Sequence, residues 1–446
     1  MHEHIDTRTQ FHDTVRIMLN PLAQELNATL EGTTPGALLS QLGRRMFFPR
    51  GIISQGAEAK QHGKVANATI GMTICGGSPA ALPSVHKFAP DLSPGELVAY
   101  MPTAGSPQLR ERWRQELLRK NPSLAGKSFS LPVLVPGLTA GISYLSDLFL
   151  EEGRALIAGN PSWDNYSLIV STRTNAELRQ FQMFADGKFN MAGLEAIVRE
   201  EAKTGFVRLI VNIPQNPSGY SPTKSEAQEM LRIVRQAAEG GARVMVWCDD
   251  AYFGLNYEDD IEPQSLFAYL ADMHPNVLAV KIDGPTKEDF VWGFRCGFLT
   301  FGGKSLSDAH YDALVKKLMG AIRSSVSCSS TPSQSILLRA LDEPGIESEK
   351  NAMRDMLEAR YRAVKDFVLT HTNKTLTPLP FNSGYFMSFD VHGTDAETLR
   401  QKLLHEDGIG TIALDSHTLR VAFSSIDEEK IPAVYAAIYK KADSLA

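Results

Sequence analysis

The segment DGPTKEDFVWGFRCGF, residues 283–298, places Arg295 eight residues after Lys287 and brackets that arginine with Gly293 and Gly297. A solvated surface loop does not need that spacing. A lysine forms a Schiff base with a carbonyl only through its neutral amine, and a neighbouring cation such as Arg295 depresses the pKa toward that state. Arg295 then needs an anion of its own; its planar fork fits a phosphate, and flanking glycines let backbone approach closely. Three other stretches offer matching chemistry. VWCDDAYFGL carries Asp249 with Tyr252 three residues on, and NIPQNPSGY (212–220) holds Asn216 rigidly between prolines. VPGLTAGISYLSDLFL (135–150) reads as a strand, a glycine turn and a helix start. The amides of Gly137, Leu138 and Thr139 can therefore cradle a phosphate at a helix N-terminus. GNPSWDNYSL (159–168) adds Trp163, an aromatic plate.

These residues need a scaffold that brings distant segments to one edge. Apolar runs of four to eight residues alternate with longer helical patterns, the signature of parallel strands with crossover helices, so the fold class is α/β. Candidate strands are LPVLVP (131–136), RALIAG (154–159), FVRLIVNI (206–213), ARVMVWCD (242–249), NVLAVKI (276–282) and GFLTF (297–301). A helix is predicted over 223–239, capped by Ser221 or Thr223 with Glu226 three residues after Thr223. Asn216, Asp249 and Lys287 then follow three successive strands, at the carboxyl edge where open α/β sheets bind ligands. After about residue 330 the strand rhythm fails. A charged helix (347–371), the strand-like YFMSFDV (385–391), a helix (394–406), LRVAFS (419–424) and a last helix (427–444) suggest a smaller α+β domain. The expected division is an N-terminal segment (1–95) belonging to the small domain and to contacts with a partner subunit, a large ligand-binding domain (96–330), and a C-terminal small domain (331–446).

The whole chain sets the outer limits. Its 446 residues are about three times a ~150-residue domain and can bury a large core. A hydrophobic fraction of 43% and a charged fraction of 22% are ordinary for a globular protein, and no window reaches the ~18 apolar residues of a membrane span. The formal charge of −6 argues against a nucleic-acid partner, and MHEHIDTRTQ lacks a secretory apolar segment, which predicts a cytoplasmic location. Cys75, Cys248, Cys296 and Cys328 form no C-x-x-C pair, which suits reduced thiols better than a disulfide framework or a metal site.

Together these motifs resemble the aspartate aminotransferase family of pyridoxal-phosphate enzymes, the type I fold, from about residue 70 to the C-terminus. The resemblance implies that Lys287 carries pyridoxal 5′-phosphate on its amine, while Arg295 with the 137–139 turn binds the phosphate. It implies that Asp249 pairs with the pyridine nitrogen, that Tyr252 and Asn216 hydrogen-bond the phenolic oxygen, and that Trp163 stacks on the ring. It implies that Arg420, in LRVAFS, clamps the substrate α-carboxylate, and Arg323, in LMGAIRSSVSCSSTPSQS (318–335), resembles in spacing the arginine that reaches a distal carboxylate across a homodimer. The resemblance also implies that Tyr100, in VAYMPTAGSPQLRERW, reaches the phosphate of a partner subunit. The implied activity is amino transfer between an L-amino acid and a 2-oxo acid by ping-pong kinetics, with dicarboxylic substrates preferred. Two features depart from the family. Gly284 stands where a phosphate-binding serine is common, with Thr286 as a partial substitute, and IGMTICGGSP lacks the usual glycine-rich strand pattern. The same lysine and aspartate serve other carbanion fates, so a β-lyase, a decarboxylase or a synthase stays open, as does a non-catalytic cofactor-binding module. The first 60 residues carry six Lys/Arg and six Asp/Glu, a net of zero, which is unlike a DNA-binding arm.

Overall fold

The computed structural model describes residues 19–47, 74–75, 78–79 and 91–445. Its centre is a seven-stranded sheet made of β1 (Val133–Val135), β2 (Ala155–Asn160), β3 (Glu177–Gln182), β4 (Phe206–Asn212), β5 (Arg243–Asp249), β6 (Val277–Asp283) and β7 (Gly297–Gly302), in the order β1-β7-β6-β5-β4-β2-β3. Neighbours run parallel except β7, which is antiparallel to both β6 and β1. Helices cover both faces, so β6 and β7 are buried along their whole length and read as continuous apolar runs. β3 is the one strand of this sheet absent from the sequence reading. Its sequence, ELRQFQ, is polar because the strand lies at the edge and buries only Phe181.

Register brings the strand ends level. Asp249, the last residue of β5, pairs with Asn212 on β4 and with Ile282 on β6. The helix Leu138–Phe149 starts three residues beyond the end of β1, and Lys224–Glu239 follows the 212–220 turn. The latter opens with a reciprocal cap: the Thr223 hydroxyl accepts from Glu226 N, and the Glu226 carboxylate accepts from Thr223 N at 2.8 Å.

The C-terminal part holds a second, antiparallel sheet of β8 (Leu376–Pro378), β9 (Met387–Val391), β10 (Ile412–Ala413) and β11 (Thr418–Val421), ordered β8-β9-β11-β10. Tyr435 and Tyr439 from Ile431–Asp443 pack against its Phe389, and Phe367 from helix Ile346–Thr370 packs on the same two tyrosines. The helix Thr331–Leu341 falls beyond the expected boundary at 330, yet it packs on the large-sheet side, with Leu337 and Leu341 against Leu109 and Trp113.

Within the N-terminal segment, the described stretch 19–47 also packs on the large-sheet side. Its three short helices, Pro21–Thr29, Thr34–Leu38 and Gln41–Arg45, rest on the large sheet's layer rather than on the C-terminal sheet. Thr34 donates to Pro275 O and Ser40 to Asp147 O, both at 2.8 Å. The buried Lys317 ammonium donates to the carbonyls of Arg44 and Met46 at 3.0 and 2.7 Å. Most of IGMTICGGSP lies outside the described residues. No helix among those described is long and apolar enough to cross a membrane.

Candidate active site

A cleft of about 420 Å³ opens at the carboxyl edge of the large sheet, lined by Leu138, Thr139, Ile142, Trp163, Asn212, Asn216, Asp249, Ala251, Tyr252 and Lys287. Seven of the residues expected from the sequence meet in it: Leu138, Thr139, Trp163, Asn216, Asp249, Tyr252 and Lys287.

Lys287 sits in a single helical turn, Pro285–Glu288, directly after β6. Its ammonium nitrogen lies 4.8 Å from the centre of the Tyr252 ring. Burial lowers the amine's pKa and Arg295 adds to that, while Asp249 opposes it. The net direction favours a neutral, nucleophilic amine.

Asp249 is buried at the end of β5. One carboxylate oxygen, Oδ2, accepts a hydrogen bond from the Tyr166 hydroxyl, and the other, Oδ1, is buried without a partner. Burial pushes this carboxyl up to about 6 against the contrary pulls of Tyr166 and Lys287. An unpaired buried oxygen costs free energy that a cationic N–H donor would recover. Tyr252 is buried beside it, and that burial raises the phenol above its usual range.

Asn216 is held through its backbone: Asn216 N donates to Asn212 Oδ1 at 2.7 Å, and Asn212 Nδ2 donates to the Asp249 carbonyl at 2.9 Å. Arg420 reaches in from β11, donating from Nη1 to Asn216 Oδ1 at 3.0 Å and lying over the Phe386 ring at 4.4 Å. Its Nε is buried and unpartnered, leaving donor capacity for an anion.

The expected phosphate cradle also assembles. Gly137 caps the helix Leu138–Phe149 at φ 89°, and a Cβ there would stand 2.3 Å from Arg295 Nη2. A Cβ on Gly297 would stand 3.0 Å from Leu138 N. The guanidinium thus lies directly on the glycine turn, where only the bare backbone leaves room. Arg295 is itself left-handed, at φ 52°, with Nη1 donating to Trp292 O at 2.9 Å. Thr286 is buried and its hydroxyl donates to Cys296 O at 3.4 Å, so that hydroxyl already has a backbone acceptor.

Two expected residues lie away from the cleft on this chain. Tyr100 is 69% exposed. Arg323 ends the helix Asp308–Arg323, is exposed, and donates to Ser327 Oγ. Three residues at the site were missed. Tyr166, three after Trp163, stands edge-on to it at 5.4 Å and orients Asp249; Asn212 ties two strand ends; Tyr385 donates to the Lys287 carbonyl at 3.0 Å. The only signal for Tyr166 was its place in WDNYSL, just after a strand end.

The residues present fit pyridoxal phosphate: an orphaned carboxylate oxygen for the ring nitrogen, a depressed lysine, and an arginine on a glycine turn. A mostly parallel seven-stranded sheet with one reversed strand, together with this edge site, defines the type I fold of pyridoxal-phosphate proteins. Within that class the chain belongs to the aminotransferase class I and II family, whose model matches residues 74–438 and whose members use pyridoxal phosphate.

Among curated relatives it is 27% identical over 217 residues to an aspartate aminotransferase of Pyrococcus abyssi, covering 48% of this chain and 52% of that one. It is 25% identical over 278 residues to a probable aspartate/prephenate aminotransferase of Rickettsia conorii, covering 60% and 63%. The chain therefore spans between about half and two thirds of the length of these relatives. Among solved structures, an aminotransferase from Anaerococcus prevotii superposes with a TM-score of 0.70 at 21% identity, covering 100% of both chains. A Pyrococcus horikoshii kynurenine aminotransferase in complex with PMP gives 0.65 at 18% identity, covering 78% and 82%.

Proposed function

We propose that this protein transfers an amino group between an L-amino acid and a 2-oxo acid. The observation that carries this reading is that Lys287 and Asp249 enter one cleft from neighbouring strand ends, with the Asp249 Oδ1 buried and unpartnered. Pyridoxal phosphate, when bound, supplies the electron sink for a carbanion at the substrate Cα. Asp249 would hold the proton on the pyridine nitrogen, with Tyr166 engaging Oδ2 and leaving Oδ1 unpartnered for it. The Lys287 amine, when free, would act as the base that takes the substrate Cα proton and then as the acid that returns it. Arg295 and the amides of Gly137, Leu138 and Thr139 bind the phosphate. Asn216 and Tyr252 donate to the phenolic oxygen, Trp163 covers the ring, and Arg420 takes the substrate α-carboxylate. Because the first 2-oxo acid would leave, with its amino group kept on the enzyme, before the second substrate enters, the expected kinetics are ping-pong.

The working unit is a cytoplasmic homodimer in which Tyr100 of one subunit serves the phosphate site of the other. Its exposure on the single chain supports this. Arg323 extends the site toward a distal carboxylate, giving a preference for acidic amino acids with 2-oxoglutarate as acceptor. The test is borohydride reduction of the cofactor-loaded protein, digestion and mass spectrometry, followed by exposure of the unreduced protein to single amino acids. The expected outcome is an adduct on Lys287 and conversion of the bound cofactor to its amine form by at least one amino acid. An adduct elsewhere, or no conversion with any amino acid, refutes the proposal.

A further inference from the structure

The turn that carries Lys287 is short and is held mainly from outside. Its own backbone supplies Asp289 N to Pro285 O at 2.9 Å and a long Phe290 N to Lys287 O at 3.4 Å, and Phe290 sits at φ 57°. Three side chains from elsewhere hold it. The Tyr385 hydroxyl donates to the Lys287 carbonyl at 3.0 Å. Lys120 Nζ, at the end of helix Pro107–Lys120, lies 2.5 Å from Glu288. Lys350, near the start of helix Ile346–Thr370, forms an ion pair with Asp289. The Asp289 and Lys350 side chains are only 5% and 11% exposed. Two adjacent acids thus share a nearly dry wall, and burial together with Glu288 holds the Asp289 carboxyl above its usual range while Lys350 and Lys120 oppose.

We propose that Lys350 is a positioning residue: acting through Asp289, it fixes the turn from which the Lys287 amine enters the cleft, and so couples the C-terminal part of the chain to the proton-carrying group of the site. The inference rests on the role assigned to Lys287 above.

The physical reason lies in what remains when Lys350 is removed. Lys120 is already engaged by Glu288 and stands 3.6 Å from Glu116, so Asp289 would be left nearly buried beside a second acid. Breaking a buried pair by removing one partner is costly because the surviving charge has no compensation. Asp289 must then turn toward water. A single helical turn ending in a left-handed residue has no spare length to absorb that rotation, so Lys287, two residues back, moves with it. A shift of about 1 Å in a reacting group is enough to slow catalysis by orders of magnitude.

The charged and titratable groups facing the Lys287 amine are Asp249, Arg295 and Tyr252. Those facing Asp289 are Glu288, Lys350 and Lys120, and Lys350 also has Glu347 at 3.7 Å. This separation yields a sign test. If Lys350 and Asp289 act on Lys287 only as distant charges, Lys350→Met raises the proton affinity of the Lys287 nitrogen and Asp289→Asn lowers it. If they act by holding the turn, either substitution displaces the amine toward solvent and both raise it.

The experiment is an absorbance-monitored pH titration of the full-length, cofactor-loaded protein, reading the visible-band change that reports the proton on the Lys287 nitrogen, alongside kcat and KM. The expected result is an upward midpoint shift of roughly 0.5–1 pH unit in both variants. A fall of about tenfold in kcat with a smaller change in KM should accompany it, and Lys350→Arg should behave as wild type. Shifts of opposite sign, or unchanged midpoints, overturn the inference. If Lys350→Met does not fold, the near-isosteric Asp289→Asn decides alone: an upward shift supports the inference, and a downward or absent one overturns it. A wild-type protein with no such band overturns the reading of the site itself, whereas a normal wild-type band with unshifted variants overturns only the role of Lys350.

Discussion

Replacing Tyr166 by phenylalanine tests how the site orients its central carboxylate. The ring stays, and with it the edge-on contact to Trp163; only the hydroxyl that donates to Asp249 Oδ2 is lost. A hydrogen bond to a charged acceptor is worth ~1.5–3 kcal/mol, which at about 1.4 kcal/mol per unit is ~1–2 pK units. That bond favours the carboxylate, so its loss drives the Asp249 pKa upward from about 6, in the direction burial already pushes. If binding of the cofactor ring needs a carboxylate at Asp249, the acid side of the binding curve must move to higher pH by the same ~1–2 units. The assay is the dissociation constant of pyridoxal phosphate by absorbance between pH 5 and 9, for wild type and Tyr166→Phe. The two should differ most near pH 6 to 7 and converge toward pH 9. Superimposed curves, or a weakening of equal size at every pH, would refute the idea that Tyr166 acts through the protonation of Asp249.

The same carboxylate should cost the cofactor-free protein stability. Its folded pKa of about 6 exceeds the ordinary 3.8, so the folded chain holds this proton more tightly than the unfolded chain. The associated stability is complete below pH ~4 and is lost as pH rises through ~6, an effect of up to ~3 kcal/mol for the 2.2-unit difference. Asp249→Asn should therefore raise the urea midpoint of the cofactor-free protein at pH 8, leave it near wild type at pH 4, and abolish most turnover; a lower midpoint at pH 8 would contradict this. Substrate choice is tested by Arg323→Ala and Arg420→Ala on glutamate and alanine. Loss of Arg323 should reduce kcat/KM for glutamate by roughly 10- to 150-fold and spare alanine, whereas loss of Arg420 should weaken both. Equal losses on both substrates in Arg323→Ala, or none on glutamate, would remove the dicarboxylate preference.

What could be read from the residues in advance follows from how each is fixed. Asn216, Asp249 and Lys287 were recognisable because each stands just beyond an apolar run, and a parallel sheet in register brings such positions to one edge; the pairing of Asp249 with Asn212 and Ile282 is that geometry realised. Arg295 was recognisable because close approach of a guanidinium to backbone demands glycine, and the Cβ that Gly137 lacks would collide with it. The edge strand Glu177–Gln182 went unseen because a strand paired on one side only, with most side chains exposed, carries no apolar run. Residues 19–47 and 331–341 were assigned by where the strand rhythm begins and ends, but short helices dock wherever a complementary apolar patch lies, here on the large-sheet layer.

Tyr166, Tyr385 and Lys350 were invisible for a further reason. Each contacts Asp249 or the Lys287 turn across 83, 98 or 61 positions of sequence, as a single side chain on a helix or, for Tyr385, in the bend before β9, where local pattern says only that it is partly buried. Local pattern finds the groups that do chemistry, because their neighbours must be glycines, prolines or strand ends. The groups that aim them need only be within reach in three dimensions, so a site of this kind is chemically legible before it is mechanically legible. It follows that substitutions at Tyr166 or Lys350, which look conservative in sequence, should disturb proton positions at Asp249 and Lys287 more than substitutions of equal size elsewhere on the same helices.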